Sequence, residues 1–565
     1  MEKLVTFTSF LLLLKYYVIS SSAMTQLNIS TDQLALLSLK SQIISDPSHY
    51  LDQSWSPATY VCHWVGVTCD SRHQRVRFLN LSNMALTGVI PRELGNLTFL
   101  VSIDFGSNNF HGNLPQDTTR LHRLKVLDLS FNSFSGEVPS WFGFLHQLQV
   151  LNFGNNSFTG SIPSSFSNVS TLETLNLNFN SIEGQIPKLI GSPVNLKVLN
   201  LKGNKLVGFI PTSLSNASRL ETLEISYNSL QGNIPEGFGN LHSMKVLSIQ
   251  ENQLTGSIPF TIFNISRIEV IALSNNSFSG YLPNGLCNGL PKLKRLYLSY
   301  NKLHGHMPTS LSNWIIPQEI GNLVNLMELW MESNQMTGSV PISIFNISLL
   351  QVLSLAGNNL NGFVPCKIGN LTKMQFLYLE QNRFTGGIPK EMSNLIELEE
   401  LLLDFNNFSG LLTMEIFNIS GLRVIDLSFN NLSGNLPSNL GSLLPNIEEL
   451  YLLAGSIPTT IGNLRNLQRF NLSNNKLTGF IGDHICKLQH LGDIYLGQNQ
   501  LSGSLPNCLR NITSLREIHL ISNKLSSNIP PSLGNLQDLV VLDLSSNNMV
   551  GSLPPEIGNL KVTTL

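Results

Sequence analysis

The sequence predicts an α/β solenoid: a curved right-handed superhelix with a parallel β-sheet on its concave face and an irregular, short-helical convex side. Three observations predict it. A glycine returns every 24 residues from Gly88 to Gly280, stands at Gly305 after one step of 25, and returns again over Gly338–Gly434 and Gly455–Gly551, with Ser527 substituting once. Two apolar residues stand two apart in each repeat, as Leu127 and Leu129 do. An asparagine precedes the marker glycine by four residues in eighteen repeats. A period of this size marks a chain whose repeats cannot bury their apolar faces alone and stack to do so.

The repeat Leu124-Lys-Val-Leu-Asp-Leu-Ser-Phe-Asn-Ser-Phe-Ser-Gly-Glu-Val-Pro139 shows each element. Leu127 and Leu129 share one face of a short strand, and Asp128 and Ser130 face the other way. The strand is one rung of a parallel sheet formed with its copies. Leu124, Leu127, Leu129, Phe134 and Val138 converge on the inside of the coil. Asn132 has donors and an acceptor for backbone groups where the chain leaves the strand. Each such bond contributes a net ~0.5–1.5 kcal/mol, and an unpaired buried group costs ~1–3 kcal/mol. Asn108, Asn180, Asn252, Asn334, Asn430 and Asn547 hold the same place in other repeats, which predicts a structural asparagine ladder. Gly136 permits a backbone conformation that a side chain resists, and Pro139 fixes φ at the second bend. The stretch after the proline returns over the convex side as a loose helical turn.

This unit, L-x-x-L-x-L-x-x-N-x-L-x-G-x-I-P, resembles the leucine-rich repeat. Its endings Gly160-Ser-Ile-Pro163 and Gly256-Ser-Ile-Pro259 are similar to the plant extracellular subclass. The resemblance covers residues 27–561. It is strongest to the ectodomains of plant receptor-like kinases, in particular the group with flagellin-sensing and bacterial-peptide-sensing immune receptors. The segment Thr31-Asp-Gln-Leu-Ala-Leu-Leu, with Cys62-His-Trp64-Val-Gly-Val-Thr-Cys69, resembles that group's N-terminal cap.

The expected organisation is a signal peptide at 1–23, a cap at 27–74, and about 20 repeats of 24 residues over 75–565. Lys3, the apolar run Leu4–Leu14 and Ser21-Ser-Ala23 form the leader, with Lys15 interrupting the apolar part. That run falls short of the ~20 residues of a membrane span. In the cap, Thr31 or Asp32 is expected to start a helix, with Leu34, Leu37 and Ile43 on its apolar side. Trp55 and Trp64 are expected to cover the open end of the first coil.

Two places depart from the period, near 309–322 and 451–455. From Gly305 to Gly338 the step is 33, as if two return stretches were joined with a strand missing. At Leu450-Tyr-Leu-Leu-Ala-Gly455 the glycine comes four residues early and the ladder asparagine is absent. They are either bends of the solenoid or marks of an altered gene product. Both are subtractions from a regular pattern, which favours the second. The chain stops inside a return stretch, with no closing cysteine cap, membrane span or kinase domain, and reads as a truncated product of a longer receptor.

Lys and Arg number 34 against 36 Asp and Glu, and so balanced a charge speaks against a nucleic-acid partner. Fifteen Asn-x-Ser/Thr sequons support passage through the secretory pathway. Eight of them (Asn96, Asn168, Asn216, Asn264, Asn346, Asn370, Asn418 and Asn511) fall eight residues past the marker position, which puts glycans on the convex side or flank. Asn80 and Asn471 are sequons on the strand itself. Cys62 and Cys69 fit a cap disulfide, Cys486 and Cys508 could bridge adjacent return stretches, and Cys287 and Cys366 are expected free and buried. No Cys-x-x-Cys, nucleophile elbow, phosphate loop, His-Glu-x-x-His or dinucleotide fingerprint is present, so the reading assigns no cofactor, metal or catalytic residue.

The residue between the paired strand leucines is Tyr297, Trp330, Tyr378, Tyr451 or Tyr495 in the middle and later repeats, with Ser354 and Leu402 among them. Glu328, Glu332, Glu380, Gln381, Glu400 and Asp404 hold nearby outward positions. Aromatics interleaved with charges suit recognition. Repeats 293–406 are therefore the expected ligand face, for an extended peptide with basic groups. The resemblance implies the ligand-recognition region of a receptor-like serine/threonine kinase in defence or peptide signalling, with a peptide or protein ligand and a co-receptor kinase as partner. The alternative is a secreted inhibitor of a cell-wall polygalacturonase, or a decoy receptor; about ten repeats would suffice for the inhibitor.

Overall fold

The computed structural model describes residues 29–282, 289–304, 316, 318–434, 436–452, 457–475 and 477–560. The expected leader, Cys287, and most of the two irregular stretches lie outside the described residues. The chain divides into an N-terminal unit ending at Leu230 and a C-terminal unit beginning at Gln231.

The cap of the N-terminal unit opens with helix Ile29–Ser41. Its buried stripe is Asp32, Ala35, Leu36 and Leu39, whereas Leu34 is exposed and Leu37 and Ile43 are half-buried. The spacing is helical, but its first member is charged, and this hid the stripe from an apolar reading. Asp32 does not start the helix. It lies fully buried and takes Arg75 Nε at 2.8 Å, Arg75 Nη2 at 2.7 Å and the Val76 amide at 2.9 Å. The helix is thereby tied to the first strand of the repeats, Val76–Asn80. Trp55 and Trp64 stack with ring centroids 5.3 Å apart, and each donates its indole N–H, to Val65 O and Thr59 Oγ1. A disulfide joins Cys62 to Cys69.

In the repeats of this unit, Val76–Asn80, Ser102–Asp104, Val126–Asp128, Val150–Asn152, Thr174–Asn176, Val198–Asn200 and Thr222–Glu224 pair in parallel, like residue on like residue. Leucine points inward on nearly every rung, with Ile103 and Phe105 in its place on one. Behind them runs a phenylalanine spine, with Phe110, Phe134 and Phe158 stacked at 6.2 and 6.4 Å. A second ladder that the sequence reading did not anticipate passes through the marker glycines, where Ser133–Glu137 pairs with Ser157–Thr159. Most return stretches are five-residue 3-10 turns such as Ser164–Asn168, entered through a proline (Pro163, φ −65°).

The C-terminal unit repeats the plan. Its rungs Val246–Ser248, Val270–Ala272, Arg295–Tyr297, Glu328–Trp330, Val352–Ser354, Phe376–Tyr378, Glu400–Leu402 and Val424–Asp426 are parallel and in register. So are Glu449–Tyr451, Arg469–Asn471, Asp493–Tyr495, Glu517–His519 and Val541–Asp543. Tyr297 faces Trp330 across a 33-residue step, and Tyr451 faces Asn471 across 20. Rung pairing therefore tolerates large changes in the length of the return arc. A disulfide joins Cys486 to Cys508. Cys366 is unpaired but exposed, not buried: it opens the 3-10 turn Cys366–Asn370, on the outside of the coil.

The asparagines bind one coil to the next. Asn132 Nδ2 donates to Leu129 O and Ser130 O in its own turn and to Phe105 O of the preceding repeat, and its Oδ1 accepts from the Phe110 amide. Asn108, Asn180, Asn334, Asn430 and Asn547 repeat the pattern. The residue just before each ladder asparagine is left-handed whatever its type: Ser107, Phe131, Tyr227 and Phe405 have φ of 56°, 53°, 56° and 49°. Each sits at a strained single-residue turn, held by the bonds on both sides of it.

Gly136 has φ 87°, and a β-carbon there would stand 2.5 Å from Asn113 Oδ1. Gly136→Ala is expected to lose about 1–2 kcal/mol, because an L side chain strains this backbone. Gly410, at φ 88° with open space around it, carries the backbone strain alone. Gly410→Ala should lose less in a parallel urea titration, and the reverse order would refute the contact argument.

Candidate ligand-binding face

Every rung buries its two leucine positions and presents the residues between and beside them on the open face of the sheet. In some repeats this face holds only short-range contacts. Asp128 accepts from the amide and hydroxyl of Ser130 at 2.9 and 2.6 Å, and Asp426 and Ser428 do the same.

The rungs from Arg295 to Leu402 lock aromatics against carboxylates, and so do the Tyr451 and Tyr495 rungs beyond them, whose hydroxyls donate to Glu449 at 2.7 Å and to Glu517. Tyr297 and Tyr378 are half-buried and donate to Glu328 Oε2 at 2.7 Å and Glu400 Oε2 at 2.6 Å. Burial, reinforced by these carboxylates, pushes both phenols far above their ordinary pKa, so they remain donors. Glu328 also takes Arg295 Nε at 2.9 Å and Trp330 Nε1 at 3.4 Å. It is saturated from within the sheet and holds Tyr297 and Trp330 in place. The Trp330 and Tyr378 rings approach to 6.1 Å over the fully buried Ser354, whose hydroxyl donates to Glu332.

Two predicted site residues sit elsewhere than expected. Gln381 is exposed, but with φ 53° it lies in the left-handed turn beyond the strand, not on the open face beside Glu380. Asp404 is not a surface charge: it is only 9 % exposed. Glu380 is half-buried, and its Oε2 is covered without a hydrogen-bond partner. Burial, then the like charges of Asp404, Glu332 and Asp426, moves Glu380 up to about 7. Burial, then Asp426, moves Asp404 up to about 7. Asp426 is raised as well, chiefly by burial. The sequence reading passed over Asp426, although it stands in the same between-leucine column as Tyr378. It also missed Phe405 and Phe429, which stack at 4.1 Å and are each 49 % exposed on consecutive left-handed turns.

The sequon asparagines close the 3-10 turns on the opposite side from the strands. Asn168, Asn216, Asn264, Asn346, Asn370, Asn418 and Asn511 are exposed, and Asn96 is half-buried, accepting from Arg120 at 3.2 Å. Among the described residues no three carboxylates, imidazoles or thiols converge to hold a metal ion, and no helix is long and apolar enough to cross a membrane.

Models of the leucine-rich repeat match residues 75–97, 122–182, 194–254, 243–303, 466–488, 514–536 and 538–560, that of the leucine-rich repeat region matches 310–457, and that of the leucine-rich repeat N-terminal domain matches 29–70. The ectodomain of the Arabidopsis receptor kinase HAESA, solved with an N-terminally extended IDA peptide hormone, is 31 % identical at a TM-score of 0.83, over 95 % of this chain and 93 % of that one. The chain belongs to the plant leucine-rich-repeat receptor ectodomains. HAESA solved with IDA and the co-receptor SERK1 matches this ectodomain at a TM-score of 0.82, with 31 % identity over 95 % of this chain and 93 % of that one. The plant peptide hormone receptor RGFR1, in complex with RGF2, is 32 % identical at 0.74, over 88 % of this ectodomain and 85 % of that chain. Among curated proteins, the receptor-like serine/threonine-protein kinase EFR of Arabidopsis thaliana is 42 % identical over 91 residues, 16 % of this chain and 9 % of that one. The chain spans less than a tenth of the length of the first curated relatives it matches.

Proposed function

We propose that this chain is the extracellular ligand-recognition domain of a plant receptor-like serine/threonine kinase, and that the open strand face from Arg295 to Asp426 binds an extended peptide or protein ligand in defence or peptide signalling. The observation that carries this reading is the run of Tyr297, Trp330 and Tyr378, locked by Glu328 and Glu400, on a scaffold whose relatives HAESA and RGFR1 hold peptide hormones. Pre-organised aromatics lose little freedom when a ligand settles on them. The HAESA complex with SERK1 supports a co-receptor kinase as second partner. Recognition is this chain's part, with catalysis assigned to a kinase outside it. The exposed sequons support a route through the secretory pathway to the cell surface or apoplast.

A displayed library of random peptides panned on the protein would supply ligands, and calorimetry their affinities. Trp330→Ala with Tyr378→Ala is expected to weaken the selected peptides by tenfold or more, the effect of removing ~2 kcal/mol of aromatic anchoring. Undiminished affinity in the double variant would overturn the assignment of this face.

A further inference from the structure

The position that follows the second strand leucine is small in most repeats: Ser82, Gly106, Ser130, Gly154, Ser226 and Ser428 occupy it. The fold wants a small residue there, since the serine hydroxyl satisfies the acid two residues earlier, as Ser130 does for Asp128. In three repeats of the C-terminal unit the position holds a carboxylate instead: Glu332, Glu380 and Asp404. Tyr378 and Leu402 are register partners, so Glu380 and Asp404 leave adjacent rungs side by side. Asp426 joins from the next rung, opposite Leu402.

The arrangement costs stability. Asp404 is nine-tenths buried, and burial outweighs the backbone hydrogen bond that favours its charged form. Glu380 has one oxygen covered and unpartnered. The cations on the flanking rungs go to other acids, Arg295 to Glu328, Arg423 to Glu448 and Arg469 to Glu449 and Asp493. Burying like charges without a counter-ion is among the more expensive things a fold can do. Nothing in the repeat requires it, since serine serves elsewhere.

We propose that Glu380 and Asp404, flanked by Glu332 and Asp426, form a subsite for an arginine side chain of the bound peptide. This rests on the strand face being the ligand face. Among the described residues the carboxylates do not converge as metal ligands do, which favours an organic cation. Rungs about 4.8 Å apart set two carboxylates side by side, a spacing suited to the planar fork of a guanidinium more than to the point charge of an ammonium. The rings of Tyr378, on the rung of Glu380, and of Trp330, two rungs before it, offer faces against which a guanidinium stacks. Binding drives Glu380 and Asp404 to the ionised state, so it releases protons near neutral pH. Glu332, Asp426, Glu400 and the Tyr378 hydroxyl are the other titratable groups beside them.

The test is calorimetry of the full chain with tri-arginine, tri-lysine and tri-aspartate amides, run in buffers of different ionisation heat. Tri-arginine is expected to bind with proton release, tri-lysine more weakly, and tri-aspartate not at all. Glu380→Gln with Asp404→Asn should weaken tri-arginine about tenfold or more, the loss of charge-assisted bonds, and abolish the proton release. Its thermal midpoint should not fall, because the substitutions remove repulsion and keep shape. Equal tri-arginine affinity in the double variant, or tri-lysine binding as tightly as tri-arginine, overturns the subsite. If panned peptides still depend on Trp330 and Tyr378 but not on Glu380 and Asp404, the subsite falls and the ligand face stands.

Discussion

Arg75→Met is expected to destabilise the N-terminal unit by about 3–5 kcal/mol, the range for breaking a buried ion pair from one side. It would leave Asp32, with no exposed surface, without its ion-pair partner and with the Val76 amide as its remaining donor among the described residues. Arg75 also lies over the Phe99 ring at 4.6 Å, so methionine loses a cation–π contact while keeping some of the packing. Asp32→Leu with Arg75→Met should recover most of the loss, because an apolar pair of similar volume carries no desolvation cost. Trp55 and Trp64 stack within the cap and report on it by fluorescence during urea unfolding. A loss below ~1 kcal/mol in the single variant would show that the helix docks without the pair.

The second large effect is on pH. Stability of the C-terminal unit is expected to fall as pH rises from about 4.5 to about 7 and to level off above. Glu380 moves from its ordinary 4.5 to about 7, and Asp404 from 3.8 to about 7. In that window the folded chain keeps protons that the unfolded chain has released, so raising the pH favours unfolding. The slope approaches about 1.4 kcal/mol per pH unit for each proton retained. Glu448, Glu517 and Asp543 are shifted down by their hydrogen bonds and act in the opposite sense, but below this window. His484, lowered by burial, opposes the trend as pH falls through its ordinary 6.5. The decisive quantity is therefore the difference between the wild type and Glu380→Gln with Asp404→Asn, whose stability should be flatter across the window. Identical slopes in denaturant titrations would show that these carboxylates titrate normally.

The coil was legible because the features that specify it are local and recur. Leucine spacing, the ladder asparagine and the marker glycine each act within one repeat, and every copy restates them. The cap was less legible, since the key residue of its buried stripe is a charge, Asp32, whose partner lies 43 positions away. The proposed recognition residues fell between these cases. Tyr297, Trp330 and Tyr378 could be placed on the open face from alternation alone. That Glu328 is consumed by its neighbours while Asp404 is enclosed depends on side chains from other rungs, which no single repeat encodes. The left-handed residue before each ladder asparagine left no compositional trace. Phenylalanine, tyrosine, serine and glutamine all occupy it, because the bonds around it impose the conformation.

In-register rungs also act as a ruler. They advance about 4.8 Å each, so two of them span about 9.6 Å, while a polyproline II chain lying along the stack gains about 9.3 Å per three-residue turn. Such a chain would drop a same-side anchor onto every second rung. Trp330 and Tyr378, like Glu332 and Glu380, are two rungs apart. If the proposed ligand lies along the stack, this pitch favours guests whose important side chains recur every third residue, before any individual contact is made.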